Sequence, residues 1–353
     1  MLLPMKTPTT GPVRERPVSR VEKRRLAATD LRPRVTLSFY RYVRIGDPEA
    51  FRLQLLAALR SFGCLGRIYV ASEGINAQMN VPKTQWDAFD AWVQQQSELA
   101  GVPYKIAVEE GVAAAFYTLT VKVKAKIVAD GLDDDSFEVT NTGDYLTAAE
   151  LNDYLDDPEA VVVDMRNNYE SEVGHFDGAI IPAAVTFRDE LQKIPELLKI
   201  HQNKKIALYC TGGIRCEKAS AWLKHNGYEN VKHLRGGIID YARQVEDERL
   251  TNRFLGKNFV FDERLGERVS GEVIATCHLC RRTKCDTHHN CKSTVCFGLF
   301  IGCEACLNKR QGYCSWSCRL VDKLPPAHKK IVARFYNQQI RKRKPFVKTR
   351  LAR

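Results

Sequence analysis

What the 353-residue sequence lacks narrows its reading first. No stretch approaches the ~18 consecutive apolar residues that a membrane-spanning helix needs. The opening MLLPMKTPTTGPVRERP holds neither a continuous apolar segment nor a small-residue cleavage site, so no secretory signal is read there. The expectation is a cytoplasmic chain with no membrane partner. Glycine-rich dinucleotide fingerprints, histidine-rich iron sites and internal repeats are all missing. From His328 onward there is no Asp or Glu, against ten Lys or Arg.

That last absence locates the charge. Residues 1–34 carry nine Lys or Arg against three acids, and removing both ends from the net +12 leaves the body at −4. Basic ends on a mildly acidic body suit a polyanion such as RNA, bound through release of phosphate counterions. Lys329, Lys330, Arg341, Lys342, Arg343 and Lys344 are the candidate RNA contacts. Aromatics interleave with them in HKKIVARFYNQQIRKRKPF, which permits base stacking as well as phosphate contact. The plainer alternative is a solvated tail that only raises the local RNA concentration.

Without a secretory signal, twelve cysteines argue for metal or catalytic use rather than disulfides. Nine of them lie between Cys277 and Cys318. Cys277/Cys280 and Cys303/Cys306 are Cys-x-x-Cys pairs, and two such pairs can complete a tetrahedral zinc site. A second site would draw on Cys285, Cys291, Cys314 and Cys318. Closed four-sulfur sites leave no open position, so the expected role is structural Zn²⁺. Cysteine number alone leaves an iron–sulfur cluster as the minority reading.

Periodicity divides the chain into an α/β multidomain protein. Residues 1–34 read as a basic flexible arm, and residues 35–130 follow a β-α-β-β-α-β order, the ferredoxin-like plan. An acidic linker covers 131–145. Over 146–250 short apolar strands alternate with helices, which implies a parallel sheet covered on both faces. A connector (251–276), the cysteine-rich module (277–320) and a basic tail (321–353) complete the chain.

Within the parallel-sheet unit, KKIALYCTGGIRCEKASAW places a cysteine between a strand and a helix. Unpaired N–H groups at a helix start favour an anion, and the thiolate is the reactive form of cysteine. Cys210 is the candidate nucleophile. Thr211, Gly212, Gly213, Ile214 and Arg215 form the loop around it, with the glycines permitting close backbone approach. Cys216 is a possible second thiol for resolving a disulfide or persulfide, or simply a small residue packed in the first helical turn.

Taken with VVVDMRNNYESEVGHFDGAIIP upstream and HLRGGIIDY downstream, this loop resembles the rhodanese family of persulfide-forming domains. The resemblance implies that Cys210 is the sulfur-accepting nucleophile and Arg215 its electrostatic partner. It also implies that Asp164 and Arg166 support the loop rather than touch substrate. Dual-specificity phosphatases use Cys and Arg similarly, but their loops are one residue longer, so that reading is demoted.

The whole order resembles the rhodanese-containing bacterial tRNA uridine hydroxylases, which make 5-hydroxyuridine at wobble position 34 using oxygen. SFYRYVRI and SEGINAQMNVP precede the rhodanese-like part, and NFVFDERLGERV and the cysteine cluster follow it. The resemblance implies tRNA as partner, no DNA, O₂ as co-substrate and Cys210 as the catalytic cysteine. The reading of the chemistry is that the Cys210 thiolate adds to uracil C6 and makes C5 electron-rich. A Cys210-persulfide sulfurtransferase, with tRNA as a further acceptor, is the alternative, and a non-enzymatic RNA adaptor is the third.

Overall fold

Alternation along RVTLSFYRY sends Leu37 and Phe39 into a core and leaves Ser38, Tyr40 and Tyr42 on the opposite face. In the computed structural model this segment is β1 (Arg34–Tyr42). It is followed by α1 (Pro48–Ser61), β2 (Leu65–Ala71), β3 (Gly74–Pro82), α2 (Trp86–Gln94), β4 (Lys105–Ile106) and β5 (Leu119–Val123). The structure describes residues 32–107, 115–132, 137–184, 186–296 and 298–343, together with 22, 25, 29 and 30. Most of the expected arm, and residues 344–353 of the tail, lie outside the described residues.

The five strands run in the order β4-β1-β3-β2-β5, antiparallel except for the β2–β5 pair. This is the ferredoxin-like plan with one strand added. Asp47 starts α1 by accepting from the N–H groups of Glu49 and Ala50 at 3.1 and 3.0 Å. Leu55 of α1 and Phe89 of α2 then cover Leu37, Ile68, Ile75 and Met79 on one face. The other face carries no helix of this domain. Across it, register sets Ser38 beside Gln78, Gln78 beside Arg67, and Asn76 between Tyr40 and Tyr69.

The next unit comprises β6 (Asp144–Leu146), α3 (Ala148–Asp156), β7 (Ala160–Asp164), α4 (Asn168–Ser171), β8 (Gly174–Phe176), α5 (Phe187–Leu197), β9 (Lys205–Tyr209), α6 (Ile214–His225), β10 (Val231–Leu234) and α7 (Gly237–Asp247). Strands β6-β10-β9-β7 form a parallel sheet. Ile206 and Leu208 of β9 enter the core with Leu191 and Leu223, while Ala207 and Tyr209 enter the opposite one with Leu151 and Ile238. Burial on both faces is why β9 reads as an unbroken apolar run.

Two segments expected as linkers contribute strands. Asp144 and Tyr145 pair with β10 as part of β6, so the acidic linker ends inside the sheet. The connector supplies β11 (Phe254–Asn258), which pairs antiparallel with β8, and β12 (Glu267–Arg268). Phe254 packs on Phe176 at a centroid distance of 5.2 Å. The cysteine-rich region adds β13 (His288–Asn290), β14 (Leu299–Ile301), α8 (Glu304–Arg310) and α9 (Trp316–Asp322). Within the basic tail lies α10 (Pro326–Arg343). No described helix is long and apolar enough to cross a membrane.

Buried charges lock the first two units together. Lys218 of α6, almost wholly buried, reaches Glu73 in the β2–β3 turn at 3.0 Å and Asp130 at 2.7 Å. Glu73 also accepts from the Ile127 N–H at 2.7 Å. On the other side, His278 meets Glu172 at 2.7 Å and ties the cysteine-rich region to the parallel-sheet unit.

Candidate active site and metal-binding clusters

Cys210 follows the last residue of β9 and precedes the first turn of α6, at the carboxyl edge of the parallel sheet where open α/β folds place their crevices. It is fully buried. The Gly213 N–H points at its Sγ from 3.1 Å. Gly213 has φ +94°, and an added Cβ would lie 2.7 Å from the Tyr40 hydroxyl, so both conformation and space require glycine. Gly237 is likewise required, because a Cβ there would lie 2.4 Å from the Cys210 carbonyl oxygen. The next two N–H groups of α7, from Ile238 and Ile239, cap the carbonyls of Cys210 and Thr211 at 3.0 and 3.2 Å. The HLRGGIIDY segment thus fixes the loop from behind.

Burial by itself would push the Cys210 thiol up. The neighbouring Cys216 thiol, the Arg215 charge and the N–H groups of residues 216 and 215 outweigh it and bring the thiol down to about 5. Cys210 is therefore a thiolate at neutral pH. Cys216 is also fully buried, and burial and the adjacent thiolate push it well up, so it stays a thiol. The structure places Cys216 against Cys210 rather than in isolated packing.

Arg215 is held by a carboxylate that sequence reasoning missed. Its guanidinium donates to Glu170 at 2.7 and 2.8 Å and to the Thr211 hydroxyl at 3.2 Å. Burial works against its charge, but Glu170 outweighs burial and keeps Arg215 protonated. Asp164 and Arg166 form a bidentate pair at 2.8 and 2.7 Å, both fully buried. Asp164 also accepts from the Tyr209 hydroxyl at 2.8 Å, one residue before Cys210. The pair thus touches the strand that carries the loop.

A cavity of about 1060 Å³ lies between the open face of the first sheet and this loop. Its walls include Cys210, Gly212 and Arg215 on one side and Tyr40, Arg67, Tyr69, Asn76 and Gln78 on the other. Tyr40 donates to Glu217 of α6 at 3.0 Å, Tyr145 donates to the same oxygen at 2.9 Å, and His233 lies 3.5 Å from the other oxygen. Burial would raise Glu217, but His233 and the two tyrosine hydroxyls outweigh it and hold the carboxylate ionised. The signal for this wall was the period-2 alternation in SFYRY and INAQMN, which puts aromatics and amides on a face that no helix of the domain covers.

Beyond the cavity, the cysteines sort into two quartets whose Sγ atoms lie within 4.8 Å of one another: Cys277, Cys280, Cys303 and Cys306, and then Cys291, Cys296, Cys314 and Cys318. The first is the set expected from the paired spacing. The second is a correction, with Cys296 in the place expected for Cys285. A bridge between Thr276 and Lys284 carries Cys285 into the apolar cluster of Tyr169, Val173 and Phe259, whereas Cys296 comes to 3.6 Å from Cys314. Cys314 in turn lies 3.5 Å from Cys318. Ligand bonds of ~2.3 Å in a tetrahedron require sulfur separations of about 3.8 Å, so the donor set and spacing fit one tetrahedral ion per quartet. N–H groups of Cys303 and Cys314 donate to Cys277 and Cys291 at 3.3 and 3.4 Å, a contact suited to thiolates. His288 and His289 stand outside both quartets and pack on Phe259 and Phe300.

Of the expected RNA contacts, Lys330 is exposed on α10 and Lys329 lies 3.6 Å from Asp322. Arg341, Lys342 and Arg343 are in the last turn of α10, and Lys344 falls outside the described residues. Neither Lys329 nor Lys330 lines the Cys210 cavity.

Three family models match in succession: a UPF0176 acylphosphatase-like domain over 34–127, a rhodanese-like domain over 147–244 and a rhodanese C-terminal domain over 255–319. A tRNA uridine(34) hydroxylase from Enterobacter sp. (strain 638) is 50% identical over 306 residues, covering 86% of each chain. One from Citrobacter koseri is 51% identical over 299 residues and 84% of each chain. The chain belongs to the tRNA uridine(34) hydroxylase family. In this member of the tRNA uridine(34) hydroxylases, the acylphosphatase-like sheet and the rhodanese-like loop face each other across one cavity. A solved rhodanese-like domain from Anabaena sp. is similar over 32% of this chain and 78% of its own at 19% identity, with a TM-score of 0.25.

Proposed function

We propose that this protein hydroxylates C5 of uridine 34 in tRNA with O₂, and that Cys210 is its catalytic cysteine. The observation that carries the reading is a buried thiolate bordering a cavity of about 1060 Å³ walled by two domains of a family named for that activity. The base leaves its stack to enter, at a cost smallest for a nucleotide already in a loop.

Addition of the thiolate to C6 moves the C5=C6 electron pair onto C5 and O4. The resulting enolate attacks O₂ through C5 and gives a C5 peroxide anion. Two electrons from an external reductant and three protons convert it to the C5 alcohol and water. Loss of the C5 proton then expels the thiolate and restores the double bond. The base loses two electrons, the reductant loses two and O₂ gains four. Arg215 and the loop N–H groups serve by keeping Cys210 ionised, and the Asp164–Arg166 pair holds the strand that presents it.

Both cysteine quartets are assigned to structural Zn²⁺, whose closed four-sulfur geometry rigidifies the module without entering the reaction. The basic helix α10 contributes affinity for phosphates. The persulfide reading of Cys210 is not favoured, because the named relatives are hydroxylases. The test is nucleoside mass spectrometry of tRNA incubated with the protein under ¹⁸O₂. One labelled oxygen on uridine supports the proposal; sulfur gain, or oxygen drawn from water, refutes it.

A further inference from the structure

Most cations near Cys210 are already engaged, and the buried Lys105 ammonium stands 4.5 Å from the Tyr40 ring centre. Arg215 is taken by Glu170, Arg166 by Asp164, and Lys218 by Glu73 and Asp130. Arg67 and Arg188 are different. Both line the cavity that Cys210 borders, and among the described residues neither guanidinium has a hydrogen bond or an ion pair. Arg67 comes from β2 on the open face of the first sheet and is half-buried. Arg188 comes from the first turn of α5 on the rhodanese-like side and is exposed. The two reach one space from different domains.

We infer that Arg67 and Arg188 form a two-armed clamp on the RNA backbone, gripping the phosphates on either side of the nucleotide whose base reaches Cys210. The inference rests on the tRNA reading above and deepens it. Half-buried, the Arg67 guanidinium is unfavourable without a partner, and a phosphodiester supplies the paired oxygens that fit its planar fork; the exposed Arg188 offers the same fork to a second phosphate. A single-stranded polynucleotide suits this wall better than a free anion, because the charge continues along the sheet. Register places Lys122 beside Tyr69, and the Lys124 ammonium stands 5.4 Å from the Tyr69 ring centre. Cations alternating with an aromatic ring are the elements of a stacking track for single strands. One carboxylate, Asp189, also lines the cavity, and its side chain is engaged by the Thr186 hydroxyl at 2.8 Å.

The clamp makes a quantitative demand on salt dependence. On single-stranded phosphates each contact contributes about 0.7 to the slope of log K against log salt. Full-length protein is titrated with a fluorescent anticodon stem–loop RNA carrying uridine 34, across a salt series. Arg67→Gln and Arg188→Gln are each expected to lower the slope by about 0.7 and weaken binding roughly tenfold at 0.15 M salt. The double variant is expected to lose about 1.4. Arg60→Gln on α1, which packs against the opposite face of the sheet, is expected to change nothing. Replacing one linkage flanking nucleotide 34 with a neutral methylphosphonate is expected to erase the effect of one arginine and spare that of the other. A structural role would not produce that pairing.

Unchanged slopes in both variants, on RNA that the wild type binds and hydroxylates, would overturn the clamp while leaving the functional reading intact. A wild type that neither binds nor modifies the RNA sinks the tRNA reading, and the clamp with it. Since neither guanidinium has a partner among the described residues, thermal midpoints are expected to match the wild type. A fall of several degrees would assign these arginines to the fold instead and would also overturn the inference.

Discussion

Replacing Glu170 with Gln separates two effects that the site superimposes. The Glu170 carboxylate is fully buried and accepts from both Arg215 nitrogens, from the Asn167 N–H at 3.0 Å and from the Asn167 amide at 2.7 Å. Glutamine keeps the shape, removes the charge and turns one acceptor into a donor that must face another donor. Breaking one side of a buried pair costs about 3–5 kcal/mol. At about 2–4 °C per kcal/mol for a chain of this class, the midpoint should fall by about 6–20 °C. Cys210 should move the other way. Losing a negative neighbour leaves Arg215 uncompensated, so the thiol should titrate at or below its wild-type position near 5. Calorimetry reads the first effect. The 240-nm thiolate absorbance, taken as the difference from a matched Cys210→Ala background, reads the second. An unchanged midpoint, or a Cys210 titration displaced above neutrality in a folded variant, would refute the reasoning.

The same absorbance difference in the wild type should rise with a midpoint near pH 5, and a midpoint near 9 would contradict the thiolate assignment. Because folding depresses this group, its stabilisation of the fold should be complete above pH 9 and lost as pH falls through about 5, which pH-dependent unfolding of wild type and Cys210→Ser would reveal. Cys296→Ala should lose one bound metal per chain while Cys285→Ala keeps the wild-type content, measured by elemental analysis; the reverse pattern would restore Cys285 as a ligand. Lys218→Met leaves Glu73 and Asp130 facing each other without their shared cation and should cost about 3–5 kcal/mol in thermal unfolding, whereas a neutral result would mean that the triad does not hold the domains together.

The candidate nucleophile was legible because its pattern is contiguous: strand, cysteine, glycines, arginine and helix follow one another within a dozen residues. Ferredoxin-like and parallel-sheet units were legible through periodicity. Long-range partners were not. Glu170 lies 45 residues from Arg215, and Tyr40 lies 177 residues from Glu217, so no local pattern pairs them. Cys285 and Cys296 are chemically identical and similarly spaced from Cys291, so only the path of the backbone decides between them. In the tail, the run of charge obscures the helical periodicity, although Lys, Arg and Ala all favour a helix such as α10. In FLGKN, Gly256 and the short length hid a strand that the Phe254–Phe176 contact anchors.

In the proposed reaction the thiolate of Cys210 carries the oxidation of uridine 34. Its most direct test is nucleoside mass spectrometry of tRNA incubated aerobically with the wild type, Cys210→Ala and Cys210→Ser, with a reductant supplied. 5-Hydroxyuridine is expected at position 34 with the wild type and none with either variant. Full hydroxylation by Cys210→Ser would contradict it.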